Sequence, residues 1–120
     1  MIQLQTETER RDLNGLVGES LDETITALLS GEVLKSLYEH LEKVHSISRE
    51  QVPSRLEVLH STLRTTFGPA GSKTITRMVA KRLYGKLGLA FVDPLWNPGP
   101  TLIEYVEEAK VKLKERAGQP

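Results

Sequence analysis

Apolar residues recur every three or four positions along most of this 120-residue chain, and no run of β-branched residues alternates with polar ones between turn pairs. A pattern with the helical period does not suit a strand, whose successive side chains point to opposite faces. The class is therefore all-α. The first periodic stretch follows Ser20-Leu21-Asp22-Glu23, a capping-box order in which the serine oxygen and the glutamate three residues on satisfy opposite N–H groups. Leu21, Ile25, Leu28 and Leu29 then share a face, and Ser30-Gly31 interrupts them. Val33, Leu34, Leu37, Tyr38, Leu41 and Val44 mark a second helix. Ser48-Arg49-Glu50-Gln51 repeats the capping-box order, but Pro53 follows at once and predicts a single turn and a bend.

A third helix is expected over residues 54–67, with Leu56, Leu59, Leu63 and Phe67 inward. Gly68-Pro69 ends it, since glycine accepts a left-handed cap and proline does not continue a helix. A fourth runs over 72–87 on Ile75, Met78, Val79, Leu83 and Leu87, with Gly88 at its end. Residues 90–100 hold three of the 6 prolines and the only tryptophan, Trp96, and read as an irregular loop. Thr101-Leu102-Ile103-Glu104 is a third capping box, opening a helix to about 117 with Leu102, Tyr105, Val106, Ala109 and Leu113 inward. The architecture expected is one domain over 1–120, a compact bundle of four to five helices with residues 1–18 as an N-terminal arm.

A 38% hydrophobic, 27% charged chain without net charge reads as a folded domain rather than a disordered one. The absence of cysteine excludes disulfides, thiolate metal sites and thiol nucleophiles, and suits a reducing cytosol. The opening residues show no secretory pattern and no apolar run approaches about 18 residues, so a cytoplasmic chain without a membrane span is expected.

Zero net charge conceals a division. Residues 1–57 carry 11 acids against 6 bases, whereas 58–92 carry no acid and 6 bases: Arg64, Lys73, Arg77, Lys81, Arg82 and Lys86. Lys73, Arg77 and Lys81 recur every four residues and line one side of the fourth helix, with Arg82 and Lys86 as a second, adjacent row. Such a stripe suits phosphates or the acidic face of a protein, and its alternative is a solvated face opposite the core. Gly68-Pro69-Ala70-Gly71 admits a helix-turn-helix reading, with Lys73 and Arg77 near the start of the second helix. The helix N-terminus at Ser72 could also hold an anion. A phosphate-loop reading of Gly71-Ser72-Lys73-Thr74 fails, because Ser72 separates the lysine from the glycine and no strand precedes it.

No catalytic constellation emerges. His40 and His45 stand five apart, which places them on different helical faces, and no His-Glu-x-x-His occurs, so neither metal nor cofactor is expected. Nothing couples a nucleophile to a base. Phe91, Leu95 and Trp96 either close one end of the bundle or form an apolar patch that docks a partner. The stripe of the last helix, narrow enough for helix pairing, could instead pack on the bundle.

The segments Leu37-Tyr38-Glu39-His40-Leu41-Glu42, Ile47-Ser48, Leu63 to Phe67-Gly68 and Lys81-Arg82-Leu83-Tyr84-Gly85-Lys86-Leu87-Gly88-Leu89 resemble the small archaeal "Nitrosopumilus output domain" family over residues 33–89. That resemblance implies an all-α archaeal domain, fused in some members to signalling or ligand-binding modules, with no assigned activity and no catalytic residue to transfer. Pro69 departs from the family, which places alanine or Gly-Ala after its Phe-Gly turn. The expected function is a non-catalytic interaction or regulatory module that binds an acidic protein partner through Lys73, Arg77, Lys81, Arg82, Lys86 and Trp96. A second copy of the chain is a further partner to consider, and nucleic-acid binding through the same bases is the alternative.

Overall fold

The computed structural model describes residues 2–93 and 99–118, with side chains from Leu13 onward. Among these residues the fold is four α-helices and one 3-10 helix, without a strand. None of the helices is long and apolar enough to cross a membrane. The chain divides into two compact units, Met1–Leu59 and His60–Pro120.

In the first unit α1 (Ile2–Leu28) runs through the segment expected to be an arm, so Ser20 caps nothing. It lies mid-helix and fully buried, as does Thr24. A capping residue needs a helix end beside it, and here the helix begins a full 18 residues earlier. The inward face accordingly extends back to Val17 and comprises Val17, Leu21 and Ile25, while Leu28 and Leu29, at the end of the helix, are exposed. Next, α2 (Gly31–His45) starts where the Ser30 hydroxyl oxygen accepts the Val33 N–H at 3.1 Å. It ends at Ser46 in left-handed backbone, φ 55°. Leu37 and Leu41 are buried, but Val44 is exposed, because the chain leaves the helix beside it and Ile47 completes the apolar set instead. The 3-10 helix Arg49–Ser54 starts with the Ser48 N–H donating to Gln51 Oε1 at 2.9 Å and buries Val52. A polar contact ties the three elements together. The Tyr38 hydroxyl and the Arg49 guanidinium both donate to Asp22, and the guanidinium lies 5.2 Å from the Tyr38 ring centroid.

The third helix, α3 (Leu56–Leu87), is two segments that meet at Gly68. Gly68 has φ 78° and ψ 170°, a backbone region open essentially to glycine alone. Pro69 opens the second segment, where its missing N–H belongs to a first turn that has no intrahelical acceptor. The bend brings Phe67 over Gly71, so close that a Cβ on residue 71 would stand 3.0 Å from that of Phe67. The four-residue turn expected at 68–71 is thus a single non-helical residue, and Ser72 is buried within the helix instead of opening it. The helix-turn-helix reading loses its four-residue turn, and the helix start that the anion reading placed at Ser72 falls at Pro69 instead.

The helix stops at Gly88, φ 70°, in a Schellman arrangement: Leu89 N–H donates to Tyr84 O at 2.9 Å and Gly88 N–H to Gly85 O at 3.2 Å. Arg116 adds its guanidinium to the Leu87 and Gly88 carbonyls at 3.1 and 3.4 Å. Arg116 belongs to α4 (Leu102–Ala117), whose capping box is complete. Thr101 Oγ1 accepts from Glu104 N–H at 3.2 Å, and Glu104 Oε1 accepts from Thr101 N–H at 2.9 Å.

Two glycines of α3 should respond oppositely to alanine. Gly68→Ala forces an L residue into positive φ and should cost about 1–3 kcal/mol. Gly85→Ala, on an exposed helical turn with open space around its Cβ, should stabilise by about 0.5–1 kcal/mol. Chemical denaturation of both variants checks this, and effects of equal sign would contradict the bend.

Candidate interaction surface and clefts

The second segment of α3 presents Lys73, Arg77 and Lys81 to solvent and buries Ile75, Thr76, Val79 and Leu83 along the remaining arc. Arg82 is half-buried and Lys86 exposed, so the second row expected from the spacing is the weaker one. Lys73, Arg82 and Lys86 each engage a neighbouring group. Arg77 Nε stands 3.9 Å from Asp93 Oδ1, with both side chains about half exposed. An ion pair this open contributes at most about 1 kcal/mol and yields readily to a competing carboxylate. Trp96, the sixth residue expected to make contact, lies outside the described residues.

Tyr84 stands differently from its sequence neighbours. It is 1% exposed, and its hydroxyl donates to the Tyr105 carbonyl of α4 at 2.9 Å. Ala80 and Ala109 make room for the ring between the helices, and Leu87, Leu89 and Phe91 pack against the cluster. The last helix buries Leu102, Tyr105, Val106 and Ala109, so its apolar stripe is used within the chain and pairing with a second copy through it would require unpacking. Leu113 is half-buried.

Beside this cluster opens a cleft of about 290 Å³ whose lining includes Tyr84, Phe91, Tyr105, Asp93, Glu108 and Lys112. Lys112 pairs with Glu108 at 3.0 Å, and its ammonium lies 5.6 Å from the Tyr84 ring centroid. Burial, reinforced by the Glu108 charge, holds the Tyr84 phenol above its ordinary range. Burial, then the Asp93 charge, does the same for Tyr105. Asp93 thus belongs both to the basic row, through Arg77, and to the cleft.

The first unit carries a wider, open groove of about 560 Å³ beside the Asp22–Tyr38–Arg49 contact, with Gly15 and Gly18 of α1 along it. Burial and the hydrogen bond to Asp22 raise the Tyr38 phenol, while the same carboxylate holds Arg49 more firmly protonated. His40 and His45 are brought together, ring centroids 5.9 Å apart, despite their unfavourable spacing on an ideal helix. Among the described residues no group of three potential ligands gathers for a metal ion.

Sequence reasoning placed the row and missed the cleft. Tyr84 falls among bases in sequence, and what buries it lies 21 residues on. The pattern Tyr105-x-x-Glu108-x-x-x-Lys112, which puts a ring, an acid and a base along one side of α4, was the signal available. Comparison with protein-family models, with curated proteins and with solved structures gives no match.

All 3 tyrosines carry raised phenols. The unfolded chain ionises near the ordinary value of about 10 and the folded chain above it, so the stability they lend is intact below about pH 10 and lost as the pH rises beyond it. Absorbance of tyrosinate during a base titration should therefore rise together with the loss of helix. Phenols that ionise at the ordinary value in the folded chain would contradict the burial described.

Proposed function

We propose that this chain is a non-catalytic, cytoplasmic interaction module, and that the row Lys73, Arg77 and Lys81 docks an acidic face of a partner protein. The observation that carries this reading is the exposure of all three bases on one side of a single helical segment. Across eight residues at helical rise they span about 12 Å. A row of charges on a helix meets a complementary row without first ordering a loop, which is the costly part of many associations. The surrounding stretch, residues 58–92, contributes no acid of its own, so its own charges are of one sign and favour the approach of acidic surfaces. Asp93 supplies a weak internal stand-in for the partner's carboxylate at Arg77. The resemblance of residues 33–89 to the archaeal output-domain family points toward the same regulatory class of role.

Nucleic acid would use the same bases. Single strands also want rings on which bases stack, and Tyr84, the ring among these bases in sequence, is buried. This favours a protein partner over a single strand.

The test is an anisotropy titration of a labelled polyglutamate peptide, a duplex and a single strand, at about 50 and 200 mM salt, where six neutralised phosphates would cost on the order of a thousandfold. The peptide should bind, and Lys73→Glu with Lys81→Glu should weaken it at least about tenfold, as reversal of close interfacial charges does. An affinity for peptide unmoved by the double reversal would overturn the reading. Nucleic acid that binds more tightly than peptide and loses affinity on that scale would make the row a phosphate surface.

A further inference from the structure

The cleft of the second unit has the chemistry of a cation site. Tyr84 and Phe91 meet nearly perpendicular, interplanar 87° with centroids 5.6 Å apart, and Tyr105 lies 5.7 Å from Phe91. Aromatic faces carry negative potential and attract ammonium groups within about 6 Å of the centroid. Glu108 and Asp93, one carboxylate from α4 and one from the segment after α3, line the same space. An ammonium already lies over a ring there: Lys112 Nζ, 5.6 Å from the Tyr84 centroid and 3.0 Å from Glu108 Oε1. The chain's own lysine thus shows which chemical group this ring face and carboxylate accept. Lys112 is also partly solvent-exposed, its side chain at 39%, so it can swing outward without breaking packing.

We propose that this cleft binds an alkylammonium ligand, and that the Lys112 ammonium is the resident group such a ligand displaces. A trimethylammonium head is the best competitor. It has no N–H to surrender to water, spreads its charge over methyl groups that lie flat on rings, and is favoured by the same quadrupole that holds the lysine. A volume of about 290 Å³ suits a small head group with a short substituent. Once displaced, Lys112 keeps its charge in water, while Glu108 turns to face the ligand. This site is separate from the proposed use of the basic row, and either can fail without the other, although Asp93 borders both.

The experiment is an NMR titration of the whole chain with choline, read at the amides of Tyr84, Tyr105 and Lys112, beside 3,3-dimethylbutan-1-ol, the neutral analogue of the same shape. Choline should bind the native chain weakly and Lys112→Met about tenfold more tightly, since the lysine no longer competes for the ring. Glu108→Gln should weaken choline, and the neutral analogue should bind at least about tenfold less well than choline in every chain. A peptide bearing trimethyllysine, run in parallel, distinguishes a side-chain ligand from a free one. Glu108 is exposed and Lys112 partly so, and circular dichroism confirms that each variant retains its helix. The proposal is overturned by any of three results: no saturable shift with millimolar choline in either chain, equal binding of the neutral analogue, or choline binding that Lys112→Met does not improve.

Discussion

A phenol removed from water must place its proton on an acceptor, and the second unit is organised around that requirement at Tyr84. Its hydroxyl reaches the Tyr105 carbonyl, which sets how closely α3 and α4 approach and in what register. Two alanines, Ala80 and Ala109, supply the space the ring needs, and larger side chains at either position would push the helices apart. With the helices locked in this way, the Arg116 guanidinium reaches the end of α3, Phe91 closes against both tyrosines, and Lys112 is drawn over the ring. The basic row and the cleft are consequences of this one arrangement. It leaves the Lys73 side of α3 to solvent and gathers the rings on the side facing α4.

The first unit satisfies its phenol by other means. Tyr38 is only half-buried, and its acceptor is a charged side chain, Asp22, which Arg49 also engages. Hydrogen bonds to charged groups are stronger than neutral ones, but this contact lies partly in solvent and is correspondingly screened. Its value is geometric. One carboxylate of α1 fixes both a ring of α2 and the start of the 3-10 helix.

Elements set by their immediate neighbours were legible in the sequence. Thr101 opens its helix as its capping box requires, and Gly88 closes α3 with the backbone expected of a C-terminal glycine, whereas the single turn and bend expected after Ser48 is a 3-10 helix that runs through Pro53. Ser20 carries the same local order and caps nothing, because a capping box reports a helix start only where no helix already runs. Gly68 and Pro69 were read correctly as a break. Its size was not, since a single residue in a glycine-only conformation does the work of a loop, and the evidence of tightness, Gly71 under Phe67, is visible only in three dimensions. The exposed row followed directly from four-residue spacing. The cleft did not, because its rings come from two helices and the segment between them, and no local pattern states which face of α4 meets which face of α3.

The use proposed for the second segment of α3, which carries no acid, is contact with an acidic protein. Mapping the contact residue by residue tests it most directly: heteronuclear NMR of the labelled chain during addition of an acidic peptide. Amide shifts should concentrate on residues 73–86 and at Asp93 as its carboxylate is exchanged for the peptide's. Shifts confined to the Asp22–Tyr38–Arg49 groove, or scattered over both units without a focus on α3, would contradict it.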